Sequence, residues 1–162
     1  MKKYEHIAEF GKKLIAFNEV ESVLELIADE AKYLVDADRC SIFIVESEDK
    51  ILWTKHSDGI GRIVLGLETG VVGATYDTKS PQIVNDPYKD ERFLANIDKK
   101  SGYVTKNMIT IPIFNSKREV MSIMQLLNKK GADFDKADLD LLTFFANYVS
   151  GSLELVLLSE ER

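Results

Sequence analysis

The sequence predicts an α+β domain, and three observations carry that expectation. Apolar residues recur at helical spacing at both ends of the chain. Between them lie continuous β-branched and aromatic runs joined by short polar turns, the pattern of hairpins. Two helices precede the first strand and one long helix follows the last, so helix and strand segregate along the chain.

Ile7, Phe10, Leu14 and Phe17 are spaced 3, 4, 3, the seam of a helix packed on another helix. Asn18, with Glu21 three residues on, reads as the cap of a second helix. Its apolar face is Val23, Leu24, Ile27, Ala28, Ala31, Leu34 and Val35, and its polar face is Glu25, Asp29, Glu30 and Lys32. CSIFIV (40–45) and ILWTKH (51–56) form strands around the turn ESEDK, and RIVLGL (62–67) supplies a third. ETGVVGATYDTK (68–79) reads as a short helix entered through Thr69-Gly70, and PQIV (81–84) as an edge strand. Residues 85–106 lack periodicity, which suggests a lid or binding loop, with one short helix in DERFLANI (90–97). MITIPIF (108–114) and VMSIMQLLN (120–128) flank the turn NSKRE. The last helix starts at the cap Asp135, with Asp138 in its first turn, and about 25 residues make it ~37 Å long. No linker or repeat interrupts this plan, so residues 1–162 form one domain. Its parts are N-terminal helices over 1–35, sheet and pocket over 39–128, and a C-terminal signalling and dimerisation helix over 135–162.

Composition narrows the function. A net charge of −6 and a pI near 5.0 leave no clustered basic face for nucleic acid or an anionic membrane surface. Unbroken apolar runs fall far short of the ~18 residues a membrane span needs, and the N-terminus reads as an amphipathic helix rather than a signal peptide. One cysteine, Cys40, excludes an internal disulfide and suits a reducing compartment, so a cytoplasmic location is expected. There is no nucleophile elbow, His-Glu-x-x-His or cysteine pair at metal-ligand spacing. His6 and His56 lie on different elements, and Gly59-Ile60-Gly61 lacks the third glycine of a dinucleotide fingerprint and reads as a turn. Asp86, Asp90 and Glu91 crowd one loop; a solvated acidic loop is a simpler account than a cation or acid–base site. Ser41, Thr110 and Gln125 are single polar residues in apolar strands. A polar cavity explains them as a group, whereas bonds to backbone or ordered water explain each alone.

The segment LLNKKGADFDKADLDLL (126–142) joins these observations. Asn128, Lys129, Phe134 and Asp138, together with RCSIFIV (39–45), TGVVG (69–73) and SGYVTKNMITIPI (101–113), resemble the GAF domains of cyclic-nucleotide phosphodiesterases and their bacterial relatives. The family's signature is Asn-Lys, a gap, Phe, three residues and Asp-Glu, and Leu139 stands here in place of the Glu. The resemblance covers the whole chain. It implies a six-stranded antiparallel sheet with the N- and C-terminal helices on one face, and with short helices plus a long loop forming a pocket on the other.

It also implies a site. The peptide groups of Val71 and Val72 match a helix N-terminus that holds a cyclic phosphate, where unpaired N–H groups and the dipole favour an anion. Ser41 matches a serine that reaches base or ribose, Asp58 an Asp after the second strand, Asp86 an Asp on the purine edge, and Thr105 a lid threonine. Ser57 stands where an aromatic stacks on the base in the matching domains. Lys129 is expected to pair with Asp138 as a structural clamp. The implied ligand is a cyclic nucleotide, cGMP or cAMP. The family's methionine sulfoxide reductases use several cysteines, and Cys40, in a core strand, supplies neither that chemistry nor bilin attachment, so no enzymatic activity is expected. Leu155, Val156, Leu157 and Leu158 make the last helix apolar around most of its girth, and exposed patches of that kind mark partners. In the family such helices pair in a homodimer and continue into an output domain. The resemblance thus implies a small-molecule-sensing regulatory domain of a bacterial-type signal-transduction protein. The alternative is a ligand-free dimerisation or protein-interaction module.

Overall fold

A computed structural model describes residues 2–58 and 62–160; the turn expected at Gly59-Ile60-Gly61 lies outside the described residues, as do Met1, Glu161 and Arg162. The chain runs α1 (Lys2–Leu14), α2 (Val20–Val35), β1 (Ala37–Glu46), β2 (Ile51–Ser57), β3 (Val64–Gly66), α3 (Gly70–Thr78) and β4 (Gln82–Val84). A 3-10 turn (Pro87–Lys89), α4 (Ala95–Ser101), β5 (Met108–Phe114), β6 (Val120–Lys129) and α5 (Lys136–Glu160) follow. The strands form one antiparallel sheet in the order β3-β2-β1-β6-β5-β4, so the two longest strands lie at its centre and the two shortest at its edges.

Strand alternation divides the core in two. Cys40 and Ile42 of β1, Ile109, Ile111 and Ile113 of β5, and Met124 and Leu126 of β6 face the terminal helices. The apolar face of α2 and residues Leu142, Phe145, Ala146, Val149 and Leu153 of α5 cover them, with α1 laid across both helices. The opposite strand face, with Phe43, Ile123 and Leu127, lies beneath α3 and the 85–106 segment. By length and composition α5 would suffice to cross a membrane. Its buried stripe nevertheless packs on the sheet, as a core helix does.

Five local expectations are corrected. Phe17 lies past the end of α1 and is exposed, since the helix stops at Leu14. Glu19, not Asn18, occupies the cap position of α2, and no side chain caps that end. Glu30 is buried, because α1 lies over it and His6 Nδ1 comes within 2.6 Å of its carboxylate. The short helix falls at 95–101 rather than 90–97: Asp90 folds back to accept hydrogen bonds from Arg92, from both its backbone N–H and its guanidinium, which holds the chain in a turn before Leu94. Strand β3 is also only three residues long, half the run 62–67.

Candidate functional site

On the face away from the terminal helices, α3, α4 and the sheet enclose a cavity of about 50 Å³. Gly70, Val71 and Val72 from the start of α3 form one wall, and Phe93, Leu94, Ile97, Asp98 and Thr105 form the lid. Phe43, Met108, Gln125 and Leu127 form the floor. The entry to α3 depends on its glycines. Gly70 has φ +74, a backbone that a side chain strains, and Thr69 is extended without a side-chain cap bond. A Cβ on Gly73 would lie 2.6 Å from the Glu68 carbonyl carbon, so only glycine lets the chain fold this tightly onto the helix.

The lid is held by a carboxylate that the sequence did not single out. Asp98 is buried. Its Oδ2 accepts from the Tyr88 hydroxyl at 2.5 Å and from the Thr105 N–H at 2.8 Å, and its Oδ1 accepts from Thr105 Oγ1 at 2.9 Å. The bond to Asp98 raises the Tyr88 phenol above its ordinary value. A carboxylate has about four lone-pair directions, so three bonds leave one for a group in the cavity. The far end of the lid is tied by Asn128, whose Oδ1 accepts from the Lys106 N–H at 2.6 Å and whose Nδ2 donates to the Val104 carbonyl at 2.9 Å.

Four of the candidate ligand residues, Val71, Val72, Thr105 and Gln125, line this cavity. Four do not. Ser41 lies on the same strand face, but its hydroxyl meets that of Ser57 at 3.0 Å. Thr110 is covered by α3 and shares a 2.5 Å hydroxyl contact with Thr75. Asp86 is exposed and lies 3.4 Å from Lys89 in the 3-10 turn. Asp58 turns toward α2, where Lys32 Nζ is 2.8 Å away and His56 Nε2 3.2 Å, and the Cys40 N–H donates to it at 3.0 Å. Burial pushes the Asp58 carboxyl up, but Lys32, the Cys40 N–H and His56 outweigh it and hold it below the usual range. Burial, reinforced by the charge of Asp58, drives the Cys40 thiol far above its ordinary value.

The Asn-Lys…Phe…Asp segment forms a junction beside the lid. Lys129 Nζ lies 2.6 Å from Asp138 Oδ2, with both side chains largely buried. Asp138 Oδ2 also accepts from the Asp135 N–H at 3.0 Å, while Asp135 Oδ1 accepts from the Asp138 N–H at 2.9 Å, a reciprocal cap of α5. Phe134 is buried at the core edge, and Asn85 brackets its peptide with bonds of 3.0 and 3.1 Å.

Comparison with known proteins adds a lineage to this geometry. The sequence profile of the GAF domain matches residues 19–153. The chain is 29% identical over 143 residues to a probable 3',5'-cyclic phosphodiesterase, pde-5, of Caenorhabditis elegans, covering 80% of this chain and 20% of that protein. It is 31% identical over 153 residues to the dual 3',5'-cyclic-AMP and -GMP phosphodiesterase 11A of Takifugu rubripes, covering 76% and 17%. The chain therefore spans about a fifth of the length of these relatives. The GAF domain of an Acinetobacter phosphoenolpyruvate-protein phosphotransferase superposes with a TM-score of 0.84 at 17% identity, covering 100% of this chain and 99% of that one.

Proposed function

The chain belongs to the GAF domain family, in which the domain serves as a regulatory sensing module, and from that premise we propose that its lidded cavity binds a cyclic nucleotide. One observation carries the reading: the N-terminus of α3 and the spare acceptor of Asp98 converge on one otherwise apolar cavity. The first offers unpaired N–H groups and a positive dipole end to a cyclic phosphate, and the second offers a lone pair to a donor on the base or ribose. The relatives named as cyclic-nucleotide phosphodiesterases support the ligand class.

Small-molecule pockets run from ~300 Å³ upward, so a cavity of about 50 Å³ requires the lid to swing outward on binding. The bonds that Asp98 makes with Thr105 and Tyr88 lie within the lid and move with it, so its remaining acceptor position stays available to the ligand. Differential affinity for open and closed lids is then the signal. It passes through β1, whose Ser41 and Phe43 face the pocket side while Cys40 and Ile42 face α2 and α5. Exposed Tyr4, Phe144, Tyr148, Leu155 and Leu158 on α1 and α5 suit a homodimer that relays the change to an output domain of a cytoplasmic signalling protein.

The small cavity also favours the second reading, a ligand-free dimerisation or protein-interaction module whose pocket is filled by Phe93, Leu94 and Met108. Thermal melts with cGMP and with cAMP separate the two. Ligand at 100 times its Kd adds about 2.7 kcal/mol, several degrees for a chain of this length. A melt unmoved by either nucleotide at about a millimolar rules out the cyclic-nucleotide reading.

A further inference from the structure

We infer that Leu94 is a gate: it divides the lidded cavity from a larger outer cleft, and a ligand enters by displacing it from the start of α3. The identity of that ligand rests on the cyclic-nucleotide reading, whereas the gate itself does not. The cleft, of about 590 Å³, runs between α3 and the chain that precedes α4. Gly70, Gly73 and Asp77, spaced three and four apart on one face of α3, form one side, and Glu91, Arg92 and Leu94 form the other. Gly70 and Leu94 also line the inner cavity, so the two spaces share that wall. Leu94 Cδ1 lies 3.2 Å from the point where a Cβ on residue 70 would stand, so glycine supplies the seat on which the leucine rests. Small-molecule pockets begin near ~300 Å³, a size that the cavity alone does not reach and the cavity joined to the cleft does.

The residues on either side of the gate are moored. Asp90 accepts from the backbone N–H and the guanidinium of Arg92, and Arg92 Nη1 donates to Gln82 Oε1 of β4 at 3.1 Å. Phe93 meets the Tyr88 ring edge-on at 5.0 Å between centroids, and Asp98 holds Thr105 and Tyr88. Leu94 is half-buried and, among the described residues, joins none of the three apolar clusters of the core. Displacing it therefore gives up one apolar contact and leaves the moorings intact. The cleft also has a sign. Glu68, Asp77 and Glu91 line it, and Arg92 is already engaged by Asp90 in a 2.7 Å ion pair. Such a mouth raises the local concentration of cations and lowers that of anions. A cyclic nucleotide, with its single negative charge, enters against this field, so its association should quicken as salt screens the carboxylates. Entry at the far end of the lid, beside exposed Lys99 and Lys106, would slow with salt instead.

The test places a thiol on the cavity floor, as Met108→Cys or, if that variant does not fold, Gln125→Cys, and follows its labelling. The natural Cys40 is buried with its thiol pushed far up, so it stays silent while the chain is folded. The probes are trimethylammonium-ethyl methanethiosulfonate and its sulfonato-ethyl analogue, one cationic and one anionic. Each forms a mixed disulfide with the thiolate and releases methanesulfinate. Adding Leu94→Ala should quicken both reactions roughly tenfold or more, with Leu94→Val between parent and Leu94→Ala. Relative to free mercaptoethanol, the cationic probe should lead the anionic one by about tenfold at low salt, and Glu91→Gln should narrow that lead. A Leu94→Ala rate equal to the parent rate, or a lead for the anionic probe, overturns the gate. So does Cys40 reacting in step with the new thiol, which would mean access by global unfolding, and so does cGMP association that slows with salt. Labelling as expected beside melts unmoved by cGMP and cAMP leaves the gate standing and removes the cyclic-nucleotide reading.

Discussion

Lys129→Met tests the junction that locks the last strand to the last helix. The substitution keeps the length of the side chain and removes its ammonium, 2.6 Å from Asp138 Oδ2. Side-chain exposures of 16% and 9% place the pair among buried ion pairs, for which loss of one partner costs about 3–5 kcal/mol. Asp138 keeps part of its support: the Asp135 N–H still donates to it, and the N-terminal dipole of α5 favours its charge. The expected loss is therefore about 2–3 kcal/mol, a fall of roughly 4–12 °C in melting temperature for a chain of this length. Urea unfolding, followed by far-UV circular dichroism with an unchanged m-value, measures it. Lys136→Met is the control, since Lys136 meets Asp140 at 3.1 Å with both side chains exposed and should lose less than about 0.5 kcal/mol. Adding Asp138→Leu to Lys129→Met should restore part of the loss, because the uncompensated charge leaves with it. A Lys129→Met variant within about 0.5 kcal/mol of wild type, or matching the control, would refute the buried-clamp account.

Two further outcomes follow from the same geometry. Asp58 is held below the ordinary carboxylate value of about 3.9, so its contribution is complete above that value and lost as pH falls through the lower folded value. Wild type should accordingly lose up to about 1 kcal/mol relative to Asp58→Asn between pH 5 and pH 3, after allowance for solvent screening at this partly exposed site; parallel urea curves for the two proteins would contradict it. Gly70→Val forces a branched side chain into φ +74 and places its Cβ 3.2 Å from Leu94 Cδ1. It should cost about 1–3 kcal/mol and abolish nucleotide binding, while sedimentation still reports the same oligomer as wild type. Retained binding would mean that the phosphate sits elsewhere.

Most of the fold was legible because it is written in periodicity. The apolar face of α2, the continuous runs of β1, β5 and β6, and the Asp135–Asp138 cap each depend on neighbours two to four residues apart. The misreadings occurred where a long-range contact overrides local preference. Glu30 looks like a surface residue on the helical wheel of α2, and only the arrival of α1 with His6 buries it. Asn18 and Glu21 have the spacing of a cap, but the connection from α1 brings Glu19 to that position instead.

The site was less legible, and its own chemistry explains why. Val71 and Val72 are proposed to act through peptide groups, so only the glycines around them leave a mark in the sequence. Ser41, Asp58 and Thr110 carry polar atoms on or beside the correct strands, but each is claimed by a neighbour within the fold: Ser57, Lys32 and Thr75. Asp98 is the reverse case. It sits in a stretch with no periodicity, among lysines that make it look like one more solvated acid. Its burial arises because Thr105, seven residues on, returns both an N–H and a hydroxyl to one carboxylate while Tyr88 closes on it from the preceding turn. No spacing rule predicts that convergence, since each partner reaches Asp98 through loop backbone rather than along a helix or strand. The residues that hold a lid in place thus have their partners set by loop geometry, which is the part of a fold that sequence periodicity leaves open.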